Sequence, residues 1–422
     1  MQLDRRLHSH AALAVLILFF GSLTVQVRAD VVADWNKEAV RLTLLPASNL
    51  APAAQTRPMA IVHVSMHDAV NGITGEYRTY LRRSPAPAGA SPDAAAIAAA
   101  HYALRNLFPS SSGALDEMFA ASLAANGLSP GDPGVSYGQN AAAAVLAARS
   151  GDGWAVAQFN YTAPRSGQPG VWVPLTPQPA LLPGWGRVAL WVLPGSLEFL
   201  PPPPPLLESP EYANDYNEIK EIGSLNSTTR TAEQTQIATF WLGSPTDIWN
   251  QPLREISAAR NMSLSARARV FALVYLSVAD AAIICWEAKY LYNFWRPQPA
   301  IRRGSEDRNL STEADAAWTP LFPTPRHPEY PSGHTVNSSA MAGILSNACG
   351  EDPGMPISVT VGGVNRQWST FGEGLDEVID ARVYSGIHFR NSDQVGSDVG
   401  QQIGNYVWAN ALRPCPARRR GC

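Results

Sequence analysis

Apolar residues recur at helical spacing along most of this 422-residue chain, and evenly alternating strand patterns are scarce. The strongest stretch is 265–292, apolar through Leu273, Leu276 and the run 279–285. Shorter Ala- and Leu-rich segments with Gly and Pro at their borders predict helices near 57–71, 93–108, 114–126 and 137–150. Helical text resumes at 210–222 and 231–243. A buried helix is then expected from Gly333 to about residue 347, another just before Arg382, and a last one at about 393–411. Residues 359–361 predict at most one short strand. The expected fold class is all-α, a helical bundle with long Pro/Gly/Trp-rich loops.

Two regions interrupt the helical pattern. Residues 75–92 read as a loop, and residues 152–209 are rich in Trp, Pro and Gly, ending in five consecutive prolines at 201–205. That text cannot form a regular helix or a central strand, so it predicts a long surface loop wrapping the domain and edging a pocket. Use of the proline run as a recognition ligand is the alternative.

The N-terminus has the layout of a secretory signal: Arg5 and Arg6, an apolar stretch at 11–27, and Val27-Arg28-Ala29 as a small-x-small cleavage site. Cleavage near Ala29 would leave a secreted or periplasmic protein; the competing reading is an uncleaved anchor. No later segment reads as an unbroken membrane span. The expected organisation is a signal at 1–29, a helical part at 30–209, a helical core carrying the site at 210–413, and a tail at 414–422.

Composition narrows the function. A net charge of −3, with no basic patch beyond Arg418, Arg419 and Arg420, excludes nucleic-acid binding as a theme. Of the four cysteines, Cys285 falls in an apolar helix and Cys349 at a helix end, while Cys415 and Cys422 lie close enough in sequence to pair in an oxidising compartment. Oligomeric state is open, with a homo-oligomer among the possibilities.

The chemistry concentrates in three segments: Lys289-x6-Arg296-Pro297, Pro331-Ser332-Gly333-His334 and Arg382-x5-His388. Lys289, Arg296 and Arg382 supply cations for charge-assisted bonds, Ser332 a hydroxyl, and Gly333 an N–H with no Cβ in the way. Lys289 and Arg296, about two helical turns apart, would share a face if both lay on one helix. His334 and His388 remain, one able to act on a central atom and the other to move a proton. Alone, a Lys–Arg pair is ordinarily a solvated surface and Pro-Ser-Gly a turn; together the set suits a tetrahedral or trigonal-bipyramidal oxyanion.

These segments resemble the signature of the vanadium-dependent haloperoxidase and type 2 phosphatidic acid phosphatase superfamily, K-x6-RP, PSGH and SR-x5-H-x3-D. The text Lys289-Tyr-Leu-Tyr-Asn-Phe-Trp-Arg-Pro and His327-Pro-Glu-Tyr-Pro-Ser-Gly-His is similar to the soluble haloperoxidase branch. The likeness covers 286–393 and extends more weakly upstream to Asp34-Trp35-Asn36. It implies that Lys289, Arg296, Ser332, Gly333 and Arg382 cradle vanadate or phosphate, with His334 as general acid/base. His388 would be the metal ligand, or the nucleophile in a phosphatase.

On the oxidative reading, hydrogen peroxide is activated on vanadate, His334 takes its proton, Lys289 draws electron density, and a halide leaves as hypohalous acid. On the hydrolytic reading, His388 forms a phosphohistidine from a phosphomonoester and His334 protonates the leaving alcohol. Trp286 and Trp295 would form an apolar wall for a halide. His327 resembles the position that brominating relatives fill with His and chlorinating ones with Phe, which hints at bromide or iodide. Plain core packing for the tryptophans, and a surface loop for His327, are the alternatives.

Two positions depart from the pattern. Ala381 replaces its Ser, and Ser392 stands where it has Asp, with Asp393 one place later. What orients His388 is therefore open between a bulged Asp393 and a backbone carbonyl. Elsewhere, His63 and His67 have metal-ligand spacing without a third ligand, so helix packing is expected. Asp280 and Glu287 flank the motif helix, where Asp280 could pair with Arg382; Arg302 and Arg303 read as surface charges.

Overall fold

Pro preceded by Ser or Asp opens helix after helix in this chain. Ser91–Pro92, Asp132–Pro133, Ser209–Pro210 and Ser244–Pro245 each place a capping oxygen on a first-turn N–H, from Ala94, Gly134, Tyr212 and Thr246 respectively. Proline at the first helical position gives up an N–H that has no partner there, and its fixed φ suits the helix. The computed structural model describes residues 30–81 and 84–416. The signal segment, its cleavage site near Ala29, the terminal arginines and Cys422 lie outside the described residues.

The helices are α1 (Val31–Leu44), α2 (Pro52–Thr74), α3 (Pro92–Leu107), α4 (Ser112–Ala125), α5 (Pro133–Ala148), α6 (Pro210–Ile222), α7 (Ala232–Phe240), α8 (Pro245–Ala259), α9 (Leu264–Tyr292), α10 (Pro297–Arg302), α11 (Gly333–Cys349), α12 (Phe371–Tyr384) and α13 (Arg390–Asn410). The fold is all-α, with one antiparallel hairpin, β1 (Ile357–Val361) and β2 (Val364–Trp368), turning through Gly362 and Gly363 at positive φ. Helices α1, α8 and α10 go beyond the sequence expectation. Helix α8 carries Pro252 in its interior, which hides a helix from periodicity. Arg382 lies in the last turn of α12 rather than after it.

One apolar cluster runs from Val31 to Leu412, so the first and last helices share a core. At its centre is α9, which contrary to expectation is long and apolar enough to cross a membrane; its apolar window is wholly buried inside the protein. A helix that is hydrophobic all round belongs in such a core. His63 stacks on Tyr275 at 4.8 Å, and His67 sits between the Arg78 carbonyl and Asn71, so both are packing residues as expected.

Helix α13 meets α11 nearly backbone to backbone. A Cβ on Gly400 would lie 2.2 Å from the Val336 carbonyl oxygen, and one on Gly396 would lie 2.3 Å from Thr335 Oγ1. These glycines, one turn apart on one face, permit the close approach. Just before α11, Ser332 N donates to the Ser392 carbonyl at 3.0 Å, so the N-termini of α11 and α13 are held side by side. The segment at 152–209 packs on α9 and the chain beyond it: Trp286 Nε1 and the Tyr290 hydroxyl donate to the Leu181 carbonyl, Tyr292 donates to the Pro201 carbonyl, and Tyr330 donates to that of Pro202.

Candidate functional site

The three motif segments converge where α9 ends, α12 ends, and α11 and α13 begin. Helix α9 terminates at Tyr292 because Asn293 adopts a left-handed conformation, with φ 49° and ψ 38°. Lys289 and Arg296 therefore do not share one helix; Arg296 reaches the centre from the N-cap of α10. Both side chains are fully buried, as is that of Ser332, while Arg382 is 3% and His388 2% exposed.

Lys289 Nζ donates to the carbonyls of Pro328 at 3.2 Å, Glu329 at 2.9 Å and Pro331. All three ammonium donors are thus engaged with the segment leading into Ser332. Arg296 donates through Nε to the His327 carbonyl at 3.0 Å and through Nη1 to the Ile387 carbonyl at 2.8 Å. The same Nη1 lies 3.1 Å from His388 Nε2, and Nη2 lies 2.9 Å from His327 Nδ1. Arg382 Nη1 donates to the Trp241 carbonyl at 2.8 Å, while its buried Nε has no partner.

Burial pushes Lys289 down to about 8 and Arg296 down to about 10, with neighbouring cations adding to the shift. Desolvation lowers Arg382 as well. Three cations crowded out of water store a free-energy demand for negative charge.

Ser332 caps no N–H of α11, and its buried hydroxyl has no hydrogen bond of ordinary geometry, although it lies toward Asp393. Beside it, a Cβ on Gly333 would crowd the Trp286 ring at 3.3 Å. The start of α11 therefore presents free N–H groups and the positive end of the helix dipole beside three cations. His334, in that first turn, is half-buried, and its Nε2 lies 3.3 Å from the Gly243 carbonyl. A carbonyl only accepts, so Nε2 bears the proton and Nδ1 is the basic nitrogen. Burial and the adjacent Arg382 hold His334 well below the ordinary histidine range.

The partner of His388 differs from both sequence expectations. Its Nδ1 lies 2.8 Å from Glu329 Oε1, which also accepts the Phe389 N–H at 3.0 Å. Asp393 instead faces Ser332 and Arg382, and burial raises its carboxyl well above the usual range. Glu329 escaped sequence reasoning although it stands within the quoted His327–His334 text; a carboxylate three residues before Ser332 was the available signal.

Other assignments divide. Trp286 and His327 do meet, with ring centroids 5.1 Å apart, and His327 is buried rather than on the surface. Trp295 packs in a separate aromatic cluster with Tyr212, Tyr216 and Phe389, so it forms no wall of this site. Asp280 does not pair with Arg382; it accepts the backbone N–H groups of Trp191, Val192 and Leu193. Arg303 pairs with Glu306 at the surface, while Arg302 donates to the Trp318 carbonyl. Among the described residues no group of three His, Cys, Asp or Glu side chains is arranged to hold a metal ion.

Known proteins resemble this chain in sequence and in fold. Residues 269–415 match the profile of the VCPO second helical-bundle domain. Vanadium chloroperoxidase of Curvularia inaequalis is 29% identical over 188 residues, 38% of this chain and 31% of that protein's length. The first bacterial vanadium-dependent iodoperoxidase structure superposes with a TM-score of 0.79 at 22% identity, covering 92% of this chain and 98% of that one. A holo-type bacterial vanadium-dependent chloroperoxidase gives a TM-score of 0.68 at 19% identity, covering 85% of this chain and 92% of that one. These structural likenesses establish the fold.

Proposed function

As the chain belongs to the superfamily of vanadium-dependent haloperoxidases and type 2 phosphatidic acid phosphatases, we propose that it is a vanadate-dependent haloperoxidase, oxidising bromide or iodide with hydrogen peroxide to hypohalous acid. The observation that carries this reading is the pair of buried groups Ser332 Oγ and Arg382 Nε, neither in a hydrogen bond of ordinary geometry, beside the uncapped start of α11 and the unprotonated Nε2 of His388. An oxyanion satisfies such a set, and a neutral ligand would not offset the buried cations.

On this reading Lys289, Arg296, Ser332, Gly333 and Arg382 hold vanadate and His388 ligates it. Bound vanadate would supply Lewis-acid activation of hydrogen peroxide with no change of oxidation state. The chain's own residues do the rest. His388 presents an unprotonated Nε2, because the guanidinium facing it has no acceptor capacity. His334, held neutral and partly open to solvent, can take a proton from peroxide on Nδ1 and return it. Trp286 and His327 offer an apolar face and an imidazole where a halide can approach, and the buried His327 supports the bromide or iodide preference.

Export to a secreted or periplasmic location is part of the proposal. It is supported by the N-terminal signal pattern and by Cys415, which is disulfide-bonded while Cys285 and Cys349 are free thiols.

The test is a paired assay on metal-stripped full-length protein. Peroxide-dependent bromide and iodide oxidation is followed before and after adding orthovanadate, beside hydrolysis of a phosphomonoester. Halide oxidation that appears only with vanadate establishes the reading. Phosphate release inhibited by vanadate, with no halide turnover, makes the protein a phosphatase that works through a phosphohistidine on His388.

A further inference from the structure

Glu329 joins two parts of the site that come from opposite ends of the motif region. Its backbone carbonyl takes Lys289 Nζ at 2.9 Å, with Pro328 and Pro331 taking the same ammonium on either side. Its carboxylate turns the other way: Oε1 accepts from His388 Nδ1 at 2.8 Å and from the Phe389 N–H at 3.0 Å. The residue is fully buried and stands 59 positions from His388 in sequence. Three residues further on, the same segment supplies Ser332, Gly333 and His334.

The hydrogen-bond logic at His388 leaves one neutral tautomer. Arg296 Nη1, 3.1 Å from Nε2, is a donor with no acceptor capacity, so Nε2 must carry a lone pair. The ring proton of the neutral imidazole is then on Nδ1, and Glu329 Oε1 is its acceptor. Among the described residues no other acceptor stands at Nδ1. Asp393 lies toward Ser332 and Arg382 instead, and Ser392 neighbours the Glu329 carboxylate.

We propose that Glu329 is the positioning residue of His388: its carboxylate fixes the ring with the proton on Nδ1 and Nε2 bare, and ties that ring to the segment that carries Ser332, Gly333 and His334. The functional part rests on the reading of the site as an oxyanion centre; the tautomer does not. An acceptor on the far nitrogen sets which nitrogen of a histidine can bind, and removing such a partner costs about 10–100-fold in affinity or activity. Glutamine can still accept both N–H groups through its amide oxygen, and alanine can accept neither.

The experiment uses the full chain as wild type, E329Q and E329A, with H388Q to assign the ring signals. Long-range proton–nitrogen NMR reads the His388 tautomer, calorimetry reads orthovanadate and phosphate affinity, and thermal unfolding reads integrity. The expected result is a single Nδ1–H tautomer in wild type and E329Q. In E329A the ring, no longer held at Nδ1, can turn away from Arg296, so the single Nδ1–H signal gives way to a mixture of tautomers, both anions bind about 10–100-fold more weakly, and kcat falls while the halide KM stays nearly constant. A wild-type ring protonated on Nε2 overturns the proposal, and so does a folded E329A that keeps both the tautomer and the affinity. Should E329A not fold, the wild-type and E329Q tautomers decide. Wild type that binds neither anion defeats the oxyanion reading instead, leaving the tautomer to judge Glu329 separately.

Discussion

Trp191 donates its backbone N–H to Asp280 Oδ1 at 2.6 Å, fastening the proline-rich loop to the middle of the helix that delivers Lys289. Val192 and Leu193 donate to Oδ2 of the same carboxylate at 2.8 and 3.0 Å. One buried acid thus satisfies three consecutive amides of a segment that has no regular structure of its own. D280A leaves those amides unpaired, at about 1–3 kcal/mol for each buried one. With two of the three amides fully buried, urea unfolding should show D280A less stable by roughly 2–6 kcal/mol, with D280N losing less. A loss below about 1 kcal/mol, the ordinary cost of a point substitution, would show that the loop is held by something else.

The close contact of α11 with α13 makes Gly400 sensitive to a single methyl. Its Cβ would lie 2.2 Å from the Val336 carbonyl, so G400A must push the helices apart. Overpacking of this kind costs about 1–3 kcal/mol. Because the same contact aligns Ser332 with the start of α13, G400A should also weaken phosphate binding at temperatures where the chain is fully folded. Unchanged phosphate affinity in folded G400A would separate the helix contact from the site.

His388 and His334 should fail differently. H388A is expected to abolish turnover of any substrate. H334A should retain orthovanadate binding and lose about 10²–10⁴-fold in kcat, the usual worth of a general acid/base. Calorimetry and steady-state rates on the two variants check this; wild-type rates in H388A with every substrate would place the reaction elsewhere.

Lys289 gives the site a pH limit on its alkaline side. Burial lowers the free-protein ammonium to about 8 from 10.5. An anion binds the protonated form, so by linkage apparent affinity falls as pH rises through that value. Titrations of wild type against K289M from pH 6 to 10 isolate this contribution, since ionisation of the ligand and of other groups is common to both. The wild-type advantage, from the charge of an ammonium whose three donors already meet carbonyls, should be largest below pH 8 and shrink above it. A constant ratio across the range would mean that Lys289 serves only to brace its three carbonyls.

The sequence by itself determined most of the helices and singled out the residues proposed here as the cradle. Ser–Pro and Asp–Pro starts, Ala-rich windows and the apolar run of α9 are local signals, because caps and helix propensity act within one or two turns. The residues Lys289, Arg296, Ser332, His334, Arg382 and His388 could be named because charge and hydrogen-bonding capacity belong to residue types. Helix α8, with a proline inside, was illegible for the complementary reason: tertiary burial of Ile248, Trp249 and Leu253 overrides a local breaker. Only the tertiary structure decided the partners. Asp280 turned to loop amides 87 to 89 residues away rather than to Arg382, and Glu329 rather than Asp393 reached His388. Which buried group meets which depends on the path of the backbone through a packed core, and neither periodicity nor composition carries that path.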